Sequence, residues 1–175
     1  MKRNTKITFS AMMAALATAF MLFSYFPFLT YAIPAIAGLF IMAIVIEIDL
    51  KWAVCAYTAS AILVFILAEK ESMLLYVAFF GYYPVFKALV EKIRKPLLEW
   101  PIKLVIFNGA VLLVYFVLAE FLQIPMDDMG QIAKYGVAIL LAAANVVFVL
   151  YDIAVSRMAM MYMAVFKPKI KKIFK

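Results

Sequence analysis

Long apolar segments separated by short polar turns make up most of this chain. An apolar run of about 20 residues is the length at which a helix crosses the hydrocarbon core of a bilayer. The turns between the runs are short and charged, as in "EIDLK", "AEKES" and "EKIRKPLLEWPIK". The pattern predicts an all-α, polytopic membrane protein, a single six-transmembrane-helix bundle over residues 1–175. The six predicted spans are 7–29, 32–49, 52–68, 73–91, 102–123 and 134–164.

The first apolar segment has a competing interpretation as a cleavable signal peptide. "KRNTK" resembles a basic leader, and "AIA" at 35–37 resembles a cleavage site. A signal peptide has an apolar core of about 7–15 residues, and the run over 7–29 is longer than that. The "AIA" sequence also merges into the next apolar run. We therefore interpret 7–29 as the first span.

Composition supports the membrane interpretation and narrows the chemistry. The chain is 69% apolar and 15% charged, whereas a soluble domain is about half apolar and about a quarter charged. It has no histidine, and Cys55 is its one cysteine, which excludes His-ligated metals, His general bases and internal disulfides. No Gly-rich phosphate loop is present, so ATP-driven transport requires a separate ATPase. We expect no catalytic residues, no metal and no cofactor.

Basic residues are distributed unequally between the two ends of the predicted bundle. Six spans place both termini on one side, together with the second and fourth turns. That side holds all of the 17 Lys and Arg residues except Lys70 and Lys134. The positive-inside rule then predicts a plasma-membrane protein with both termini cytoplasmic. Basic loops facing anionic lipid also account for the net charge of +7, so no nucleic-acid partner is expected.

One lysine lies within an apolar segment, in "FFGYYPVFKALVEK". Lys87 is about 21 Å along the fourth span at 1.5 Å per residue, which is past the midplane and within snorkelling reach of the inner surface. Glu91 lies one turn further on the same helix face, and Asp152 of the sixth segment lies at a similar depth. Lys87, Glu91 and Asp152 are therefore predicted to form a structural ion pair. A subunit contact and a substrate ligand are the alternatives for Lys87.

The outer half of the predicted bundle combines aromatic residues with a few polar ones, as small-molecule sites do. Gly81 and Pro84 predict a kink near mid-membrane, either as a packing feature or as an opening of the outer half. Asn145 and Asn108 are compatible with either a ligand contact or a helix–helix hydrogen bond. The predicted substrate-binding residues are Tyr76, Phe80, Tyr83, Glu120, Asn145 and Glu69.

Small residues recur every four positions along the first segment. Ala11, Ala15 and Ala19 have this spacing, and Ala14 and Thr18 are predicted to widen the same face. Small residues let two helices approach closely in lipid, where packing drives association. The partner helix belongs either to this bundle or to a separate membrane subunit. Ala11, Ala15 and Ala19 are the predicted subunit-docking residues.

In length, span count, Ala-xxx-Ala stripe and aromatic outer half, the chain resembles the S components of energy-coupling factor (ECF) importers. These are substrate-binding membrane subunits for vitamins and related micronutrients. The resemblance implies that Ala11 and Ala15, with Ala19, contact a transmembrane coupling subunit. It also implies ligand capture near the outer surface and two ATPase subunits in the complex. The substrate stays open, because no vitamin-specific signature is present.

Two other functions remain open at this point. An MreD-like scaffold subunit of the cell-envelope machinery has a similar size and span count and needs no ligand. An intramembrane enzyme or lipid-handling protein needs an acid and a base, for which Lys87 and Asp152 are the one available pair. We expect a non-enzymatic importer subunit, whose partners are the coupling subunit, two ATPases, a small-molecule ligand and the lipid bilayer.

Overall fold

The computed structural model describes residues 2–26, 28–121 and 130–168, without the side chains of residues 96, 118–121, 130–135, 137 and 140. All regular structure in these ranges is helical. The helices are α1 (Arg3–Met21), α2 (Ala32–Glu47), α3 (Leu50–Leu67), α4 (Lys70–Leu75), α5 (Tyr83–Val90), α6 (Pro96–Phe121) and α7 (Gly130–Met161). A π turn at Tyr76–Phe80 joins α4 to α5, and a second one, Tyr162–Phe166, follows α7.

Five helical segments of the described chain are long and apolar enough to cross a membrane. They are Arg3–Tyr25, Leu50–Leu67, Lys70–Ile93, Leu97–Val117 and Leu141–Phe166. The predicted all-α membrane bundle is confirmed at this level. Helix α2 is apolar but has 16 residues, a length of about 24 Å against a hydrocarbon core of about 30 Å. The prediction that 32–49 also crosses the membrane, which would bring the number of spans to six, stays a prediction.

Helix α2 lies at the centre of the bundle, in contact with α1, α3, α4, α5 and α7. Ile33, Ala37, Ile41 and Ile44 are buried along one side of the helix, and Met42 and Ala43 are buried on its other sides. A helix that is apolar all round is suited to such a central position. Gly38 allows the π turn to pack closely against α2, because a Cβ at this position would overlap the carbonyl oxygen of Phe80.

Helix α1 packs against α2 and α3 along one face. The buried residues of this face are Phe9, Ser10, Ala14, Ala17, Thr18 and Met21. Ala11, Ala15 and Ala19 are exposed on the other side of the helix. The prediction that Ala14 and Thr18 belong to the same face as the alanine stripe is therefore wrong, since both point into the bundle.

The fourth apolar segment is interrupted where Gly81 and Pro84 predicted a kink. The Gly81 N–H donates to the Tyr76 carbonyl at 2.8 Å, five residues back, which widens the helix into a π turn. Such turns appear where a helix accommodates a proline or serves a functional site. The Tyr57 hydroxyl donates to the Val77 carbonyl within this turn at 2.7 Å. A Cβ on Gly81 would lie 2.6 Å from the Tyr57 ring, so this close contact requires glycine.

The two ends of the bundle differ in charge. At the end where α1 begins, Lys6 forms a salt bridge of 3.6 Å with Asp49, the N-cap of α3. The basic residues of the turns and termini here are Lys2, Arg3, Lys6, Lys51, Lys92, Arg94, Lys95 and Lys167. We call this the basic end. At the opposite end the Tyr25 hydroxyl donates to the Leu67 carbonyl at 3.1 Å, which ties the end of α1 to the end of α3.

Candidate functional site

A cavity of about 500 Å³ lies between α2, the first π turn, α6 and α7. It occupies the half of the bundle away from the basic end, since it begins at the start of α2 and follows the later half of α6. We call it the aromatic cavity. Its lining residues are Tyr31, Ala35, Leu75, Phe79, Phe80, Phe107, Ala110, Val111, Val114, Ala144, Val147 and Tyr151. Its volume and apolar walls are typical of a small-molecule site.

Packed aromatic rings form the side of the cavity nearest the basic end. Phe79, on the π turn, lies 4.7 Å from the Tyr83 ring and 5.1 Å from the Phe107 ring, measured between centroids. Phe107 stacks on Phe148 at 4.4 Å. Edge-to-face and offset-stacked pairs of this kind are favourable beyond their buried area. The π turn, α6 and α7 are thereby held together at the floor of the cavity.

Immediately beyond these rings, towards the basic end, lies a buried group of charged side chains. Asp152 is 4% exposed. Its carboxylate accepts hydrogen bonds from the Tyr83 hydroxyl, the Lys87 ammonium and the Lys103 ammonium, the last at 3.2 Å. These donors come from α5 and α6, and Asp152 is on α7. One carboxylate therefore joins three helices.

Glu91 completes the charge balance of this group. Its carboxylate lies 2.8 Å from the Lys87 ammonium and 3.3 Å from the Lys103 ammonium, and its side chain is 45% exposed. Lys87, Glu91, Lys103 and Asp152, here called the ion cluster, contain two ammonium groups and two carboxylates. Buried charges are tolerated when they are paired and hydrogen-bonded in this way.

The hydrogen bonds of the ion cluster limit its chemistry. The carboxylate of Asp152 is surrounded by three donors, so it has little capacity to accept a proton from a substrate. Within the described residues, no group of three or more His, Cys, Asp or Glu residues could hold a metal ion. The arrangement of the cluster is suited to fixing the positions of α5, α6 and α7 beneath the cavity.

Two asparagines join α6 to α7 beside the cavity. The Asn108 amide donates to the Asn145 side-chain oxygen at 3.1 Å, and the Asn145 amide donates back at 2.9 Å. Each amide also donates to the carbonyl four residues earlier on its own helix. Of the two interpretations left open by the sequence, this geometry corresponds to the helix–helix hydrogen bond.

The structure does not bring the described members of the predicted substrate-binding set together in one pocket. Tyr76 is fully buried, and its hydroxyl lies 2.8 Å from the Ser60 hydroxyl. The Tyr83 hydroxyl is directed into the ion cluster. Glu69 caps α4 by accepting hydrogen bonds from two backbone N–H groups. Their positions correct the expectation of a shared pocket, because each polar group already has a partner in the fold.

Among the predicted residues whose side chains are described, Phe80 alone is placed in the lining of the aromatic cavity. Asn145 is next to the lining residue Ala144 but is engaged by Asn108. The side chain of Glu120 lies outside the described part of the chain. The predicted ion-pair residues do come together, since Lys87 contacts both Glu91 and Asp152.

Sequence reasoning missed Lys103 as a member of the ion cluster. Lys103, Phe107, Ala110 and Val114 recur at helical spacing and form the buried stripe of α6, but only the structure shows this stripe, because the sequence of α6 is apolar on all sides. A lysine in register with such a stripe is directed into the bundle. Tyr151 was also missed. Its position beside Asp152 gave no indication of a cavity.

No protein-family model matches this sequence, and neither the curated proteins nor the solved structures contain a significant match to it. A function for the chain therefore has to be argued from the cavity, the ion cluster and the exposed face of α1.

Proposed function

We propose that this chain is the substrate-binding membrane subunit of an ATP-driven importer for a vitamin or related small molecule. It resembles the S components of ECF importers in outline. In this proposal the aromatic cavity captures the ligand, and the exposed alanine face of α1 docks a transmembrane coupling subunit. Two ATPase subunits on the cytoplasmic side supply the energy, because the chain carries no phosphate loop.

The aromatic cavity is the observation that carries this proposal. A scaffold has no need of an open apolar pocket of about 500 Å³ between its helices. Its volume lies in the range of small-molecule sites, and it is open where Tyr31 and Val147 are 68% and 63% exposed, which leaves a way in for a ligand. The cavity is also lined by Phe79, Phe80, Phe107 and Tyr151, side chains suited to holding a flat molecule.

The alanine face of α1 supports the second part of the proposal. Ala11, Ala15 and Ala19 are exposed, although α1 buries its other side against α2 and α3. Within the described chain no helix covers these residues, and small side chains favour close helix contacts in lipid. A partner helix from a coupling subunit fits this position.

We place the protein in the plasma membrane with both termini in the cytoplasm. In this topology α2 also crosses the membrane, which brings the number of spans to six. The concentration of basic residues at the end where α1 begins supports this orientation. The aromatic cavity then lies in the outer half of the membrane, where an importer receives its substrate. The ion cluster lies towards the cytoplasmic side.

The proposal is tested by gentle purification of the tagged protein from its own membranes, followed by mass spectrometry of proteins and small molecules. We expect two ATPases, one larger membrane subunit and one bound metabolite. Ala15→Trp is expected to lose the three proteins and to keep the metabolite. Ala59→Trp is the matched control, because Ala59 is an exposed alanine on α3, and it is expected to keep both.

Two results would contradict the proposal. Co-purification of wall-synthesis proteins without any ATPase would favour the scaffold function. Retention of all partners by Ala15→Trp would show that the alanine face is not the docking surface. A deletion strain whose growth defect is rescued by a micronutrient supplement would add support from the cell.

A further inference from the structure

A second cavity, of about 350 Å³, lies over α2 in the gap between α1 and the end of α7. Both α1 and α7 pack against α2, but they do not pack extensively against each other. The gap is open at the side, because its lining residues Ile36, Met161 and Phe166 are exposed. We call this opening the lateral groove. Through it the central helix of the bundle can be reached from the surrounding membrane.

The lateral groove has the length of one leaflet of the hydrocarbon core. Its lining on α2 extends from Ile36 to Ala43, which lie about 16 Å and about 6 Å from Glu47 at the basic end, at 1.5 Å per residue. On the opposite wall, Met158 lies about 13 Å before Lys167. One leaflet is half of a hydrocarbon core of about 30 Å. A hydrocarbon chain of the leaflet at the basic end can therefore lie along the whole groove.

The walls of the lateral groove suit a flexible hydrocarbon chain. Its described lining is apolar apart from Tyr162, whose hydroxyl is buried. Four of the lining residues are methionines, whose flexible side chains adapt to irregular neighbours: Met13, Met42, Met158 and Met161. A helix of about 10 Å diameter occupies about 1,300 Å³ over a length of about 16 Å, several times the volume of the groove. The groove therefore fits a chain better than a helix.

Basic side chains surround the end of the lateral groove. Lys167 follows the lining residues of the second π turn, donates to the Ile46 carbonyl at 3.2 Å and forms no salt bridge within the described chain. Lys6 lies two helical turns before Met13 on the same side of α1, and its salt bridge to Asp49 is exposed. At this end, Glu47 and Asp49 are outnumbered by the basic residues of α1, α3 and the segment after α7, which are Lys2, Arg3, Lys6, Lys51 and Lys167. A negatively charged group is therefore favoured here.

From the length of the groove, its methionine walls and its basic end, we infer that the lateral groove is a binding site for an anionic phospholipid. One acyl chain lies in the groove between α1 and α7, and the phosphate lies at the ammonium groups of Lys6 and Lys167. The inference is independent of the proposed function. The groove and the alanine face are on opposite sides of α1, since Met13 and Ala15 are about 200° apart around the helix.

The test measures lipid binding to the purified full chain in detergent by native mass spectrometry. Dioleoylphosphatidylglycerol is anionic, dioleoylphosphatidylcholine has the same chains without net charge, and glycerol 3-phosphate has a phosphate without chains. Met161→Trp fills the groove from α7, and Ile36→Trp fills it from α2, so a folding defect in one variant does not decide the result. Met160→Trp is the matched control, because Met160 and Met161 are 58% and 49% exposed and only Met161 lines the groove.

We expect the wild type to bind one phosphatidylglycerol about five- to thirtyfold more tightly than phosphatidylcholine, the ratio that one or two lysines near an anionic headgroup provide. Lys167→Gln should weaken phosphatidylglycerol binding about fivefold. Lys92→Gln removes the same charge from the turn after α5 and should leave it unchanged. Met161→Trp and Ile36→Trp should weaken both lipids about tenfold or more, since the loss of about two buried CH₂ groups is enough for this. Glycerol 3-phosphate should not bind.

Three results would overturn the inference. The first is equal binding of the two lipids by the wild type. The second is equal binding of phosphatidylglycerol by Met160→Trp and both groove variants. The third is a second copy of the chain, or another membrane protein, that Met161→Trp releases while the lipid is retained, because the groove would then hold a helix. The importer proposal is judged separately by co-purification with ATPases and by Ala15→Trp, neither of which depends on this groove.

Discussion

Replacing Asp152 by asparagine is expected to destabilise the bundle more than any other change of one functional group in the described chain. Asparagine keeps the size of the side chain but removes its charge. Lys87 and Lys103 would then share the half-exposed Glu91 as their carboxylate partner. Breaking a buried ion pair by removing one partner costs about 3–5 kcal/mol, because the other charge remains buried. That corresponds to a decrease of about two to four powers of ten in the folding equilibrium constant.

The origin of this loss can be separated from a general packing effect. Lys103→Met alone removes one donor and leaves Asp152 with Lys87 and Tyr83, so we expect a smaller loss of about 1–3 kcal/mol. In the double variant one ammonium and one carboxylate remain, and the cluster is neutral again. The double variant should therefore lose about 1–3 kcal/mol less than the sum of the two single losses, as is found for residues in one network.

Equilibrium unfolding in mixed micelles of a mild detergent and SDS provides the assay. Tryptophan fluorescence reports on the cluster, because the Trp100 ring lies 5.7 Å from the Lys103 ammonium. Lys6→Met is the control. It breaks the exposed salt bridge to Asp49, and such pairs contribute under about 1 kcal/mol. A loss below about 1 kcal/mol for Asp152→Asn, or strict additivity in the double variant, would refute this account of the ion cluster.

Three further predictions concern the packing around the cavity, each measured by the same unfolding assay. Gly81→Ala should cost about 1–3 kcal/mol, because its Cβ would meet the Tyr57 ring at 2.6 Å. Gly109→Ala is the control, because nothing lies within 4 Å of its Cβ position, and it should stabilise α6 by up to about 1 kcal/mol. Equal changes in stability for the two glycine variants would show that the contact with Tyr57 is unimportant. Tyr57→Phe should cost about 1 kcal/mol, since it removes only the hydroxyl that donates to the π turn, and no loss would mean that water replaces it. Asn108→Leu and Asn145→Leu should each cost about 1–2 kcal/mol, and the double variant should lose less than their sum, a result that full additivity would contradict.

Much of the fold could be predicted from hydropathy, because each long apolar run becomes a helix. The runs at 52–68 and 73–91 correspond closely to the helical segments Leu50–Leu67 and Lys70–Ile93. The interruption at Gly81 and Pro84 was also predictable, since proline lacks the N–H that a helix needs. Its form as a π turn was not, and neither was the hydrogen bond that the Val77 carbonyl of this turn accepts from the Tyr57 hydroxyl of α3.

The ion cluster was predictable where helical spacing or depth in the membrane brings residues together, and Asp152 was expected at the depth of Lys87. Lys87 and Glu91 are four residues apart on one helix, and the structure pairs them at 2.8 Å. Tyr76 and Tyr83 looked equally suited to a ligand site, yet both point to polar partners inside the fold. Side-chain type shows that a hydroxyl needs a partner but does not show whether that partner is a ligand.

The sequence by itself determined the helices, the membrane character and the charge difference between the two ends of the bundle, since these follow from the order of apolar and charged residues along the chain. Only the tertiary structure decided which residues line the aromatic cavity and that Lys103 joins Asp152. The physical reason is that a helix in lipid is apolar on its outer face as well as its inner one. Hydropathy then carries little information on helix rotation, which is set by how the side chains of neighbouring helices pack.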